Sequence, residues 1–276
     1  MRHLAHFSLL TYHTTNLGDD IQSLAARQYL PQVDAYLDRD RLAEYRGPAT
    51  TLIGNGWFCH DPQLAWPPAP QIRFLALSLH VHDWAKHQFA MHRDYWSPPR
   101  TPVGCRDEAT QAFFAEQGVG AYFSGCLTLT FPPADGPRRG ICLVDLWDSL
   151  AEKLPDALRR EATRHTHSVS PNLPPEARLT LAQRQLDHYA AAELVITTRL
   201  HVALPCLALG TPVLLALSAT DARTTGLHRF LSFHEPQRIL QEGWPLDQPT
   251  AAVDLVQLRA QMRSRIQAFL EAGESA

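Results

Sequence analysis

Apolar residues in this chain gather in short runs separated by polar, often helical stretches, which is the rhythm of a protein whose strands and helices take turns. The run Leu4 to Thr11 ends in a loop, and Asp19-Asp20-Ile21-Gln22-Ser23-Leu24-Ala25-Ala26 follows it, predicting a strand, a loop and a helix opened by an aspartate N-cap. Apolar runs at Ala49 to Ile53, closed by Gly54-Asn55-Gly56, and at Ile72 to Leu79 predict further buried strands. Arg106-Asp107 precedes a helix expected over Glu108 to Glu116, which Gly118 stops.

From Phe131 to Gly140 the pattern lapses into Pro132-Pro133-Ala134-Asp135-Gly136-Pro137-Arg138-Arg139, a polar, Pro/Gly-rich stretch that reads as a linker. It sets the expected domains at 1–133 and 140–276. Alternation then restarts: strand Ile141 to Val144, helix near Ser149 to Thr163, strand around Ser168, helix Arg178 to Ala192 and strand Leu194 to Thr197. The helix before Leu194 carries Leu179, Ala182, Leu186 and Tyr189 at helical spacing and reads as an amphipathic surface helix, with Arg178 off its apolar stripe. A last helix bears Leu255, Leu258, Met262, Ile266 and Phe269 on one side, and its Arg259, Arg263 and Arg265 read as a solvated face. The expected class is α/β: two Rossmann-like domains with parallel sheets and a cleft between them, ligands lying at the carboxyl ends of the strands.

At 276 residues the chain has room for two compact halves, each with its own core. With 45% hydrophobic and 19% charged residues it is an ordinary globular composition. A net charge of -3 and a pI near 6.5 give no global drive toward nucleic acid or anionic membrane, though they leave room for a local basic cleft. No apolar run reaches the roughly 18 residues of a membrane span, so a cytoplasmic location is expected. Cys59, Cys105, Cys126, Cys142 and Cys206 are odd in number and widely spaced, which suits reduced thiols in a core. His80-Val81-His82-Asp83 and His165-Thr166-His167 each place two imidazoles on one side of an extended segment, but neither has an identifiable third ligand, so no metal is expected.

The stretch Ala191 to Leu215 carries the chemistry: an apolar strand, Thr197-Thr198-Arg199-Leu200-His201, an apolar helix, then Gly210-Thr211-Pro212 and another strand. If Thr198 caps that helix, the free amides of its first turn and the guanidinium of Arg199 define an anion site for a phosphate or carboxylate. Arginine donates two parallel hydrogen bonds to such groups, and His201 beside it is suited to moving a proton. The alternative is a structural ion pair at Arg199 and a scaffold role for His201.

Val195-Ile196-Thr197-Thr198-Arg199-Leu200-His201-Val202-Ala203-Leu204, continued by Ala208-Leu209-Gly210-Thr211-Pro212-Val213, resembles the C-terminal signature of polysaccharide pyruvyl transferases. Asn16-Leu17-Gly18-Asp19-Asp20 is similar to that family's Asn-x-Gly-Asp turn, and Gly104-Cys105-Arg106-Asp107-Glu108 to its Arg-Asp helix start. The resemblance implies a fold like the two-domain glycosyltransferase B type and transfer of a pyruvyl group from phosphoenolpyruvate to sugar hydroxyls, giving a cyclic ketal. It implies His201 as general acid/base, Arg199 and Arg106 as clamps on the donor's anionic groups, and Asn16, Gly18 and Asp19 on the acceptor side. No cofactor is expected beyond phosphoenolpyruvate as donor substrate, and the partners are that donor and a glycan or glycoside acceptor. The residues alone equally allow helix capping by Asp19 and Asp20, and a scaffold role for His80. Asn55 stands where the family's glycine turn has its middle glycine, and Ser124-Gly125-Cys126 lacks the Asp-Pro common there, so neither is assigned to the site. Two other functions fit the architecture: a glycosyltransferase using a nucleotide sugar, and a non-catalytic phospho-sugar binding module.

Overall fold

The computed structural model describes residues 6–58, 64–251 and 253–274; Cys59 and the first residues of the expected opening strand lie outside them. The first half runs β1 (Phe7–Thr11), α1 (Leu17–Arg27), β2 (Ala35–Asp38), β3 (Thr50–Phe58), β4 (Ile72–Val81), α2 (Asp83–Met91), β5 (Val103–Cys105), α3 (Glu108–Glu116) and β6 (Ala121–Phe123). The second runs β7 (Ile141–Val144), α4 (Asp148–Ala151), α5 (Asp156–Glu161), β8 (Thr163–His165), α6 (Pro175–Ala191), β9 (Leu194–Thr197), α7 (Leu200–Leu209), β10 (Val213–Ala216), β11 (Phe233–His234), α8 (Pro236–Glu242) and α9 (Val256–Glu274). The strands form two parallel sheets, ordered β2-β1-β3-β4-β5-β6 and β11-β10-β9-β7-β8.

Successive strand residues face opposite sides, and the cores follow that period. Leu52 packs outward with Phe58, Trp66, Phe74, Phe89, Trp96 and Phe114, while Ile53 faces inward. Leu143, Ile196 and Leu214 likewise face out toward Ile239 and Trp244, and Val144, Val195 and Leu215 face in. The inward faces, with α1, α6 and α7, make one continuous core. The sequence suggested a separate core for each half; the inner one is common to both sheets. Each large apolar side chain sealed there contributes about 1.5–3 kcal/mol.

Several boundaries differ from expectation for local reasons. Strand β3 does not end at Gly54-Asn55-Gly56 but runs through it with a bulge, because a side chain at Gly54 would occupy the ring of Phe74 and Gly56 has φ +125°. The helix expected from Ser149 to Thr163 is broken into α4 and α5 before Pro155, which has no amide to continue the ladder. Strand β8 precedes Ser168, which instead makes an isolated antiparallel bridge to Asn16. Helix α1 opens at Leu17 with Asn16 as its cap, so Asp19 and Asp20 stand in the first turn. Arg178 is not on an open face of α6: it is fully buried, donates Nε and Nη2 to Asp20 at 3.0 and 2.7 Å, and gives Nη1 to the carbonyls of Thr14 and Ser170. Arg259 is not simply solvated either, since it donates to the carbonyls of Leu129, Phe131 and Ala208 and so ties α9 to α7 and to the chain leaving the first sheet. Between the sheets the Pro/Gly-rich stretch is tethered by Arg138, which bonds Thr211 and the carbonyls of Ala190 and Leu209. Cys105, Cys126, Cys142 and Cys206 are buried free thiols.

Candidate active site

The second sheet reverses its strand order between β7 and β9, and this is where a parallel sheet opens a crevice at its carboxyl edge. Asp145 follows β7 and Arg199 follows β9. Two hydroxyls stitch these ends together: Thr197 donates to the carbonyl of Val144 at 3.0 Å, and Thr198 to that of Asp145 at 2.8 Å. Asp145 sits at φ 46°, a left-handed conformation that an aspartate tolerates better than most side chains. Its carboxylate accepts from Thr166 at 2.6 Å, from the amide of His167 at 3.0 Å and from Arg199 Nε at 3.0 Å. Burial raises its pKa, but these bonds and the Arg199 charge outweigh burial and hold it below the usual carboxylate range.

Arg199 itself is the N-cap position of α7; the side chain of the expected cap, Thr198, is committed to the Asp145 carbonyl. The helix is irregular at His201 (φ -84°, ψ 18°). Pro205, four residues on, supplies the cause, because it offers no amide to the His201 carbonyl and its ring crowds that oxygen. His201 is half-buried at its surface yet densely surrounded, and burial followed by the charge of Arg106 pushes its pKa well below the ordinary imidazole value. Arg106 Nη1 lies 3.4 Å from His201 Nε2; a guanidinium only donates, so Nε2 accepts and the neutral ring carries its proton on Nδ1.

Arg106 comes from the other sheet. It follows β5 and is almost fully buried, its amide bonded to the carbonyl of Leu79. Its Nε has no hydrogen-bond partner, and Asp107 stands 3.7 Å from it. Asp107 is otherwise engaged, capping α3 through the Thr110 amide at 2.9 Å and holding His80 Nδ1 at 2.7 Å. His80 is therefore tied to Asp107 in the scaffold and does not line the cavity that holds His201. Ser124 serves the scaffold too, bonding the Cys105 and Gly125 carbonyls and the Ser78 amide.

The loop after β1 completes the wall. Asn16 caps α1 through the Gly18 amide at 3.1 Å, and the Leu17 amide reaches across to the His167 carbonyl at 2.9 Å. A Cβ at Gly18 would stand 3.1 Å from His201 Cβ, so the glycine lets the imidazole approach α1. Asp19 is buried and accepts from Thr14 at 2.7 Å, with Arg39 Nη1 at 3.8 Å.

These residues enclose a cavity of about 620 Å³. Asn16, Asp19, Arg106, Arg199 and His201 all belong to its wall, and Gly18 supports it from behind. Asp145, Trp57, Trp147 and Arg223, which the sequence did not single out, also line it, as does His167, which the sequence marked only as half of a histidine pair. His167 is fully buried; its Nε2 lies 2.6 Å from the Tyr189 hydroxyl, its Nδ1 has no partner, and burial lowers its pKa to about 4. Arg223 is placed by a segment after β10 that crosses to α3, where the amides of Glu108 and Ala109 bond Thr225. Arg223 is matched by Asp221, but Arg199 gives Asp145 only its Nε and Arg106 Nε has no hydrogen-bond partner, so these two guanidiniums make the wall favour an anion. His165 turns away from His167, toward His188 at 4.4 Å, and among the described residues no group of three or more His, Cys, Asp or Glu is placed to hold a metal.

Two parallel sheets, with a cavity lined by arginines and histidines at a strand-order reversal, define an α/β protein. The chain belongs to the polysaccharide pyruvyl transferase family, whose sequence profile matches residues 16–218, more than half its length. No curated protein matches it. Among solved structures it is similar to a functionally uncharacterised protein of Klebsiella pneumoniae subsp. pneumoniae, at 14% identity over 81% of this chain and 88% of that one, with a TM-score of 0.47. Among the described residues no helix is long and apolar enough to cross a membrane.

Proposed function

We propose that the protein is a pyruvyltransferase that takes phosphoenolpyruvate as donor and forms a cyclic pyruvate ketal on two hydroxyls of a glycan or glycoside. The observation that carries the proposal is the meeting of Arg106, Arg199 and His201 in one cavity wall. Arg199 and Arg106 hold the donor's carboxylate and phosphate as charge-assisted forks. The neutral His201 of the free protein is raised toward its ordinary pKa when the anionic donor enters beside it, and becomes the acid. It protonates the methylene carbon of the enol phosphate, leaving oxocarbenium character at the neighbouring carbon. A first sugar hydroxyl adds there and returns its proton to the imidazole. A second hydroxyl then displaces inorganic phosphate and closes the ring, so both hydroxyl protons are accounted for, one on the new methyl group and one on phosphate.

On this reading Asn16 and Asp19 orient the acceptor, and Gly18 keeps His201 within reach of it. The same reading expects a glycosyltransferase B type architecture, with Rossmann-like domains at 1–133 and 140–276 and the donor in the cleft between them. The test is thermal stabilisation by phosphoenolpyruvate against a panel of nucleotide sugars, since a ligand of the native state raises stability with its affinity and excess. Phosphoenolpyruvate should raise the melting temperature. Stabilisation by nucleotide sugars alone would replace this reading with glycosyl transfer.

A further inference from the structure

A second cavity of about 380 Å³ adjoins the first and shares Trp57 and Arg223 with it. His80 lies in its wall. The bond that fixes His80 in the scaffold also orients it. Burial pushes the Asp107 pKa up, but the bond from His80 and the charge of Arg106 outweigh burial and hold it below the usual carboxylate range. An ionised carboxylate only accepts, so in the 2.7 Å contact His80 Nδ1 donates, and Nε2 is the ring nitrogen left with a free electron pair for the cavity. Burial lowers the His80 pKa by more than the Asp107 bond raises it, so the ring is neutral at pH 7 and able to take a proton.

Consecutive residues at the start of α3 thus prepare two imidazoles in opposite senses. Arg106 sets a cation 3.4 Å from His201 Nε2, which opposes protonation until an anionic donor arrives. Asp107 sets an anion behind His80, which stabilises the imidazolium formed when Nε2 accepts a proton. The carboxylates of the second cavity are weaker bases, since Lys86 holds Asp83 at 2.7 Å and Arg223 Nε holds Asp221 at 2.9 Å, and both are kept below the ordinary carboxylate range. Ketal closure calls for a second base. Once the first hydroxyl has returned its proton to His201, that ring is full when the second hydroxyl attacks.

We propose that His80, oriented by Asp107, is the base for the second acceptor hydroxyl. Nε2 takes the O–H proton as the oxygen bonds the ketal carbon, the bond from that carbon to the phosphate oxygen breaks with its electron pair leaving on phosphate, and the imidazolium then gives its proton to the departing phosphate. The second hydroxyl accordingly sits at the junction of the two cavities, beside Trp57 and Arg223. This rests on the reading of the first cavity as the site of pyruvyl transfer.

The test compares the intact protein with His80→Asn, which keeps a side-chain donor for Asp107 and removes Nε2. Each is incubated in deuterium oxide with phosphoenolpyruvate and a panel of p-nitrophenyl hexosides, and followed for deuterium in the methylene group of recovered phosphoenolpyruvate and for phosphate release. The variant should bind phosphoenolpyruvate like wild type in calorimetry and go on exchanging deuterium, because protonation and the first addition are reversible and use His201, while phosphate release falls about 100-fold. Phosphate release at the wild-type rate, loss of phosphoenolpyruvate binding, or loss of exchange together with release would each overturn the role of His80. Failure of wild type itself to bind phosphoenolpyruvate, or to release phosphate with any hexoside, would overturn the reading of the first cavity and this role with it. Nitrogen NMR of the His80 ring, assigned by its loss in the variant, needs no acceptor: Nδ1 should carry the proton at pH 7, and a neutral ring protonated on Nε2 would also overturn the role.

Discussion

Arg178 with Asp20, and Arg199 with Asp145, are the same two residue types used in opposite ways. Arg178 has every nitrogen engaged: Asp20 takes two of them, the Thr14 and Ser170 carbonyls take the third, and the side chain is sealed between α6 and α1. Arg199 gives Asp145 only its Nε, and 45% of its side chain remains exposed in the cavity wall. A guanidinium has five donors, so what separates a fastener from a receiver of ligands is how many are still unspent. Residue identity does not reveal that; the partner list does.

The contrast has consequences for stability. Arg178→Ala strands the Asp20 carboxylate in the core and should cost about 3–5 kcal/mol in urea unfolding. Arg199→Ala removes a half-exposed pair and should cost about 1 kcal/mol or less. Equal losses would erase the distinction.

Acid should act through the cavity. His167 has a folded pKa of about 4, below the ordinary imidazole value, and His201 is shifted in the same direction. The unfolded chain therefore binds protons first. The contribution of His167 is present above about pH 6.5 and disappears as pH falls toward 4, for a loss of about 3 kcal/mol. Unfolding midpoints at pH 7 and pH 4.5 should show this decline in wild type and a smaller one in His167→Gln. An undiminished decline in the variant would assign the acid sensitivity elsewhere.

How far these features were legible depended on their range in sequence. Arg199 and His201 stood out because a strand, a polar pentapeptide and an apolar helix are contiguous, and the α/β class followed from the same local alternation. Helix α3 was legible from its capping residue Asp107, and Arg106 from the motif around it. Asp145 was not seen, although a polar residue directly after the apolar β7 is the signal that marks it. Arg178 was misread where periodicity could have corrected it: it lies four residues before Ala182 and eight before Leu186, hence on the apolar stripe itself, and a charge there signals a buried partner. That the partner is Asp20, and that Arg223 reaches the cavity from beyond β10, are consequences of how the sheets pack, which no local pattern encodes.

On the proposed function, the unspent donors of Arg199 receive phosphoenolpyruvate. Calorimetric titration of phosphoenolpyruvate into wild type and Arg199→Ala tests it directly, because the variant is expected to fold. Loss of charge-assisted hydrogen bonds predicts binding about 10- to 100-fold weaker in the variant. Equal affinity in the two proteins would contradict the claim and return Arg199 to the same structural role as Arg178.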